Sequence, residues 1–198
     1  MYPLFETIKI LDGNIYNLKW HQWRFEKSYK HFFSKHANYF IEDVISLPDN
    51  VKTGLFKLRF SYDLNHYELA FKPYIIKEIQ SLKIIHDNTI EYTLKYSDRN
   101  HLNTLLEQRE NCDEILIVKN GLITDTSFTD IILFDGEKWK TPKTPLLKGT
   151  CRERLLHEKK ISEAEIKADD LYKYQLFKLI NAMRDFDEAE SVDVRNIC

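Results

Sequence analysis

Ile115-Leu116-Ile117-Val118-Lys119-Asn120-Gly121-Leu122-Ile123-Thr124-Asp125 reads as two strands joined by a two-residue turn. Asn-Gly accepts positive φ at both central positions, which a tight hairpin needs. Related signals recur twice. Asp12-Gly13 separates Leu4–Leu11 from Asn14–Leu18, and Asp135-Gly136 follows the apolar run Ile131–Phe134 and precedes Lys138–Thr141. Leu55–Tyr62 and Tyr67–Pro73 alternate apolar and polar residues and join through Asp63-Leu64-Asn65-His66, and Ser81–Ile85 predicts a further strand. Helices are predicted over Lys19–Phe33, where Trp20, Trp23, Phe25, Tyr29 and Phe32 recur at three- and four-residue spacings, and over His101–Arg109 and Thr150–Lys159. Towards the C-terminus, Glu163–Lys167 and Gln175–Ile180 read as strands around a helical turn at Asp169–Tyr172, and Ser46–Thr53 reads as a loop. The sum is an α+β chain rich in antiparallel hairpins with helices between them.

Composition narrows the function classes. The 198 residues are 43% hydrophobic and 30% charged, ordinary for a folded protein of one or two domains. A net charge of -2 gives no broad drive toward nucleic acid or an anionic membrane. No apolar run approaches the roughly 18 residues of a spanning helix, and Met1 to Lys9 has no signal-peptide pattern. Cys112, Cys151 and Cys198 form neither a disulfide framework nor a zinc pattern, which predicts a reducing cytoplasm and no metal. The five glycines make neither GxGxxG nor a P-loop, so a phosphate-bearing ligand must be held in another way.

Four segments, read in order, carry the chemistry. They are Phe5-Glu6-Thr7-Ile8 followed by His21-x-x-Arg24; Lys95-Tyr96-Ser97-Asp98-Arg99; Asn120-Gly121-Leu122-Ile123-Thr124-Asp125; and Leu146-Leu147-Lys148-Gly149-Thr150-Cys151-Arg152. Together they resemble the class IV aminotransferases, the fold-type IV pyridoxal-phosphate enzymes that include branched-chain aminotransferases, D-amino acid aminotransferases and aminodeoxychorismate lyases. The resemblance runs over nearly the whole chain and rests on the order and spacing of the motifs. It implies a D-amino acid aminotransferase-like fold of two α/β lobes with the cofactor between them: a small lobe over residues 1–80, and a larger one over 81–198 that carries the lysine.

The resemblance also implies roles. Lys95 sits where the family places the lysine that holds pyridoxal 5'-phosphate as a Schiff base; burial lowers a lysine pKa and frees its amine for that attack. Asp125 stands where the relatives have a glutamate that keeps the pyridine nitrogen protonated, with a side chain one methylene shorter. Arg24 is the phosphate arginine, able to make two parallel charge-assisted bonds, and His21 packs or supports the loop. Gly149-Thr150-Cys151 matches the phosphate turn that opens a helix, with Lys148 in place of a usual proline and Cys151 in place of a usual threonine. Asn181 and Ala182 resemble the last phosphate-side loop. Phe5 and Thr7 match pocket positions. Arg99 either meets a substrate carboxylate or forms a structural ion pair.

The implied enzyme is an aminodeoxychorismate lyase, which releases pyruvate to leave 4-aminobenzoate for folate synthesis. The alternatives are an amino-acid aminotransferase of branched-chain or D-amino acid type, or a catalytically degenerate relative. The chain enters the family pattern at Tyr2–Thr7, without the strand pair that many relatives carry first, and this compact form favours the lyase. No carboxylate-gripping motif stands out. A small amino substrate and a homodimer are the expected partners, with no nucleic acid and no membrane.

Overall fold

Asp12 and Gly13 take φ angles of 48° and 75° in the computed structural model, which describes residues 2–198, and they close the first hairpin as predicted. That hairpin joins β1 (Leu4–Leu11) to β2 (Asn14–Ile15). With β3 (Leu55–Tyr62) and β4 (Tyr67–Pro73) they form an antiparallel sheet in the order β2-β1-β3-β4. Leu4, Ile8 and Ile10 of β1 share a core with Leu58, Phe60 and Tyr62 of β3 and with Phe25 and Tyr29 of α1 (Leu18–Phe33).

The buried stripe of α1 is His21, Arg24, Phe25, Ser28 and Tyr29, a regular i, i+3, i+4, i+7, i+8 face. This corrects the sequence reading of its aromatic face. Trp20 and Trp23 stay half-buried and meet edge to face at 6.2 Å, and Phe32 is exposed. Their places on the inward stripe are taken by His21 and Arg24, which a buried carboxylate on β1 draws in. A short helix α2 (Ile41–Val44) follows, and the predicted loop contains a 3-10 turn at Asp49–Val51.

The chain up to Ile76 and the segment Leu94–Asp98 make one compact unit; Lys77–Thr93 and Arg99–Cys198 make the other. Lys95 therefore belongs to the first unit and not to the lobe expected over 81–198. The cause is backbone pairing along β1. The Phe5 amide donates to the Lys95 carbonyl at 3.1 Å, the Ser97 amide donates to the Pro3 carbonyl at 2.8 Å, and Leu4 bridges Tyr96.

The second unit contains two sheets. β5 (Leu82–His86), β6 (Glu114–Lys119) and β7 (Leu122–Ile123) form one, with β6 and β7 joined by the Asn120-Gly121 turn at φ 53° and 78°. β5 lies where the sequence predicts a strand, but it pairs with β6 in parallel. Parallel partners need a long crossover, and here it contains α3 (Asn100–Leu106). The other sheet runs β10-β9-β8-β11-β12, from β8 (Asp130–Phe134), β9 (Trp139–Pro142), β10 (Ser162–Ala164), β11 (Leu176–Ile180) and β12 (Val192–Asp193). α4 (Thr150–His157) lies in the crossover between the parallel neighbours β9 and β10.

The Asp135-Gly136 turn is longer than a two-residue hairpin. Phe134 pairs with Trp139, only Gly136 has positive φ, and the Asp135 carboxylate accepts the Glu137 and Lys138 amides at 2.9 and 2.8 Å. The three cysteines are free thiols, and the fold brings Cys112 and Cys198 to a sulfur–sulfur distance of 3.2 Å. Among the described residues no helix is long and apolar enough to cross a membrane, and no group of three or more His, Cys, Asp or Glu is placed to hold a metal.

Candidate active site

Alternation along β1 sends Glu6 to the α1 side of its sheet and Phe5 and Thr7 to the other. Glu6 is fully buried. Its Oε1 accepts from Arg24 Nε at 2.9 Å, and its Oε2 accepts from Arg24 Nη2 at 2.5 Å and pairs with His21 Nδ1 at 2.7 Å. Burial alone would raise the Glu6 carboxyl. The Arg24 charge and the bonds from His21 and Arg24 outweigh burial and hold it at about 2. His21 is pushed below its ordinary value, chiefly by burial and against the pull of Glu6. Its Nε2 is buried without a partner. The expected phosphate arginine is thus oriented by a carboxylate that lies inside the quoted Phe5–Ile8 motif and to which the sequence reading gave no role.

On the opposite face of the sheet, Thr7 pairs with Arg59 and Phe5 with Ser61. The Arg59 guanidinium lies 3.6 Å from the Phe5 ring centre and donates to Ser61 Oγ at 3.0 Å and Ser97 Oγ at 3.1 Å. Lys95 Nζ lies 4.9 Å from the same ring centre. Phe5 is therefore a buried aromatic with the Arg59 and Lys95 side chains both over its ring. Arg59 was missed in the sequence. The signal was its place in the alternating strand Leu55–Tyr62, and it means something only once the register with Thr7 is known.

The second unit holds a different cluster. Asp125 and Asp130 are bridge partners at the two ends of the loop Thr126–Thr129, and both are buried. Asp125 Oδ2 accepts the Leu147 amide at 3.0 Å, while its Oδ1 is buried with no partner. Asp130 Oδ1 accepts the Gly149 amide at 3.3 Å. Burial, followed by the Asp130 charge, pushes the Asp125 carboxyl well above the usual carboxylate range, against the Leu147 amide and the Arg152 charge.

The loop between these acids is braced from several sides. Thr126 Oγ1 lies 2.7 Å from Thr129 Oγ1, and the Thr129 amide donates to Thr126 Oγ1 at 2.9 Å. Glu114, a buried carboxyl raised chiefly by burial, accepts from Ser127 Oγ at 3.0 Å. Arg99 donates to the Ser127 carbonyl at 2.7 Å and to the Tyr92 hydroxyl at 3.4 Å, and so braces the loop. Asn181 Nδ2 reaches the Phe128 carbonyl at 3.4 Å, and Asn181 Oδ1 accepts the Met183 and Arg184 amides, shaping the turn that also contains Ala182.

Gly149 is the N-cap residue of α4, and Thr150 and Cys151 open that helix, both buried. First-turn amides have no partner within their own helix and suit an anion. The Cys151 thiol is not part of that donor set. It lies 3.9 Å from Asp185 Oδ1, within 4.0 Å of Arg154 Nη2, and packs with Ile132, Leu155 and Ile180. Burial and the Asp185 charge push it far above its ordinary range.

The family model for amino-transferase class IV matches residues 3–186. An uncharacterized protein of Haemophilus influenzae is 43% identical over 187 residues, covering 92% of this chain and 98% of that protein. A Haemophilus somnus crystal structure, provisionally described as a 4-amino-4-deoxychorismate lyase, superposes with a TM-score of 0.89 at 40% identity, covering 94% of this chain and 98% of that one. A hypothetical aminotransferase from Mycobacterium tuberculosis, in a PLP-bound form, shares the fold at a TM-score of 0.71 and 14% identity, covering 96% of this chain and 80% of that one.

Proposed function

Because the chain belongs to the class IV aminotransferases, a family of pyridoxal-phosphate-dependent enzymes, we propose that it binds pyridoxal 5'-phosphate and acts as an aminodeoxychorismate lyase, releasing pyruvate to leave 4-aminobenzoate. The observation that carries the cofactor reading is Asp125 Oδ1, a buried acceptor with no partner, which suits a cationic ring N–H. When bound, the cofactor supplies an electron sink for the substrate. Lys95 Nζ would be the amine that holds the cofactor and, once displaced by the substrate amine, the base for the proton on the substrate carbon that bears that amine. Asp125 would meet the ring nitrogen as a carboxylate. Arg24, oriented by Glu6, would offer the phosphate a charged fork; in the second unit the amides of Thr150 and Cys151 and the turn at Asn181 and Ala182 would offer it backbone donors. Phe5 and Thr7 line the substrate side, and Arg59 receives a substrate carboxylate through its planar fork. The likeness to the H. somnus protein supports the lyase in particular.

Arg59 also favours a second reading, an amino-acid aminotransferase, because an enzyme that takes an amino acid and a 2-oxo acid in turn must grip two carboxylates. In either reading the enzyme works as a cytoplasmic homodimer on a small amino substrate. The test is to incubate cofactor-loaded protein with aminodeoxychorismate and no 2-oxo acid. Pyruvate and 4-aminobenzoate are expected in equal amounts over many turnovers, and neither from Lys95→Ala. Borohydride should fix the cofactor on Lys95 alone. A coloured protein that instead passes amino groups to 2-oxo acids is an aminotransferase. A protein that takes up no cofactor overturns both readings.

A further inference from the structure

Two carboxylates face each other across the loop of the second unit. Asp125 and Asp130 are directly opposed in an antiparallel bridge, which puts their side chains on one face with Cβ atoms roughly 5 Å apart. Both accept amides of the same short segment: Leu147 N–H to Asp125 and Gly149 N–H to Asp130. Asp130 packs so closely on Gly149 that a Cβ there would lie 1.8 Å from its Oδ2. Asp130 is therefore wedged against the segment that also donates to Asp125. α4 brings ionisable groups to the pair. Arg152 acts on Asp125, but its guanidinium is fully buried and already engaged by Glu153, Glu163 and the Pro142 carbonyl. The Cys151 thiol feels the charge of Asp130 and is held protonated, chiefly by burial.

We propose that Asp125 and Asp130 share one proton in the cofactor-free protein, and that seating a cationic pyridine nitrogen on Asp125 Oδ1 expels that proton, with Asp130 as the positioning residue that sets the pH at which this happens. This rests on the cofactor reading above. Two opposed buried carboxylates titrate as a pair, and the first proton lost leaves the second held more tightly. A ring N–H⁺ replaces the proton with a fixed cation, so both carboxylates can then be ionised. Charge balances at each step: one cation enters and one proton leaves to solvent.

The probe is 4'-deoxypyridoxine 5'-phosphate, which lacks the aldehyde and so reports ring and phosphate binding without Lys95. Calorimetric titration in buffers of different ionisation enthalpy counts the protons, with inorganic phosphate as the control for the phosphate group. Wild-type protein should release about one proton per ligand at neutral pH beyond the control, and its affinity should rise with pH to a plateau. Asp130→Asn keeps an oxygen for the Gly149 amide, so its fold should persist. Its proton release should shrink, and its plateau should begin at lower pH. A purely structural Asp130 would leave that pH profile unmoved in the asparagine variant. Wild-type binding without excess proton release, or an unchanged profile in Asp130→Asn, overturns the shared proton and leaves the cofactor reading standing. No binding at any pH overturns both.

Discussion

Glu6 and Asp125 are both buried carboxylates, yet their surroundings drive them in opposite directions. Glu6 is fully enclosed and is held down at about 2, because Arg24 and His21 complete its hydrogen bonds and supply positive charge. Asp125 is raised, because its burial is compounded by Asp130 and one of its oxygens has no partner. Burial penalises both alike, and the neighbours decide the sign. The first cluster meets the charge of its carboxylate within its own unit and holds an arginine in place, with His21 Nε2 the one ring nitrogen left unpartnered there. The second is incomplete, and a cation would complete it. A buried acid whose charge is already met reads as framework, and one whose charge is unmet reads as a binding point.

The largest expected effect comes from breaking the first cluster. Glu6→Gln leaves Arg24 buried without its counter-charge, which costs about 3–5 kcal/mol when one partner of a buried pair is removed. Urea unfolding at neutral pH measures it. The wild-type pH dependence follows from the same residue. Glu6 has a folded pKa below its ordinary 4.5, so its contribution is present above 4.5 and is lost as pH falls toward 2. The Gln variant should lack that acid-side loss. If Glu6→Gln is as stable as wild type, the pair does not hold α1 on β1.

Asp125→Asn should do the reverse. Asp125 has a folded pKa above its ordinary 3.8, so its cost to the cofactor-free protein grows as pH rises from 3.8 through the raised value. The amide removes that cost, and the cofactor-free variant should melt higher than wild type at neutral pH. The same change deletes a charge-assisted bond to a ring nitrogen, so affinity for 4'-deoxypyridoxine 5'-phosphate should fall roughly 10- to 100-fold. Higher stability with weaker binding is the signature of an unmet charge kept for a ligand. A variant that is both less stable and unchanged in binding would place Asp125 in the framework instead.

The contrast also shows what the sequence made legible. Asp12-Gly13 and Asn120-Gly121 announced their hairpins because turn chemistry is local: the residues that need positive φ are the residues one reads. After Asp135-Gly136 the next strand begins at Trp139, one residue later than the sequence reading has it, where the Asp135 carboxylate captures the Glu137 and Lys138 amides. Lys95, Asp125 and Arg24 could be singled out by their place in an ordered set of motifs. Glu6, Asp130 and Arg59 acquire meaning only from partners far along the chain: Arg24 is 18 residues from Glu6, and Ser97 is 38 from Arg59. The parallel pairing of β5 with β6 escaped for the same reason, since a strand's own pattern does not name its neighbour.

The smallest effect sharpens the comparison at α4, whose first turn lies beside the incomplete cluster. The sequence suggests that Cys151, standing where a threonine is usual, weakens a phosphate bond. Its thiol instead points at Asp185 and into a core with Ile132, Leu155 and Ile180, so only its backbone amide is left for an anion. Cys151→Ala should therefore leave affinity for the deoxypyridoxine phosphate unchanged within about twofold, and should destabilise the fold by about 1 kcal/mol through the small cavity it opens. Calorimetry and thermal unfolding of the same sample separate the two effects. A tenfold loss of affinity without loss of stability would return the thiol to the phosphate site. The expected result assigns it to the packed side of α4, with Asp185 and the apolar cluster.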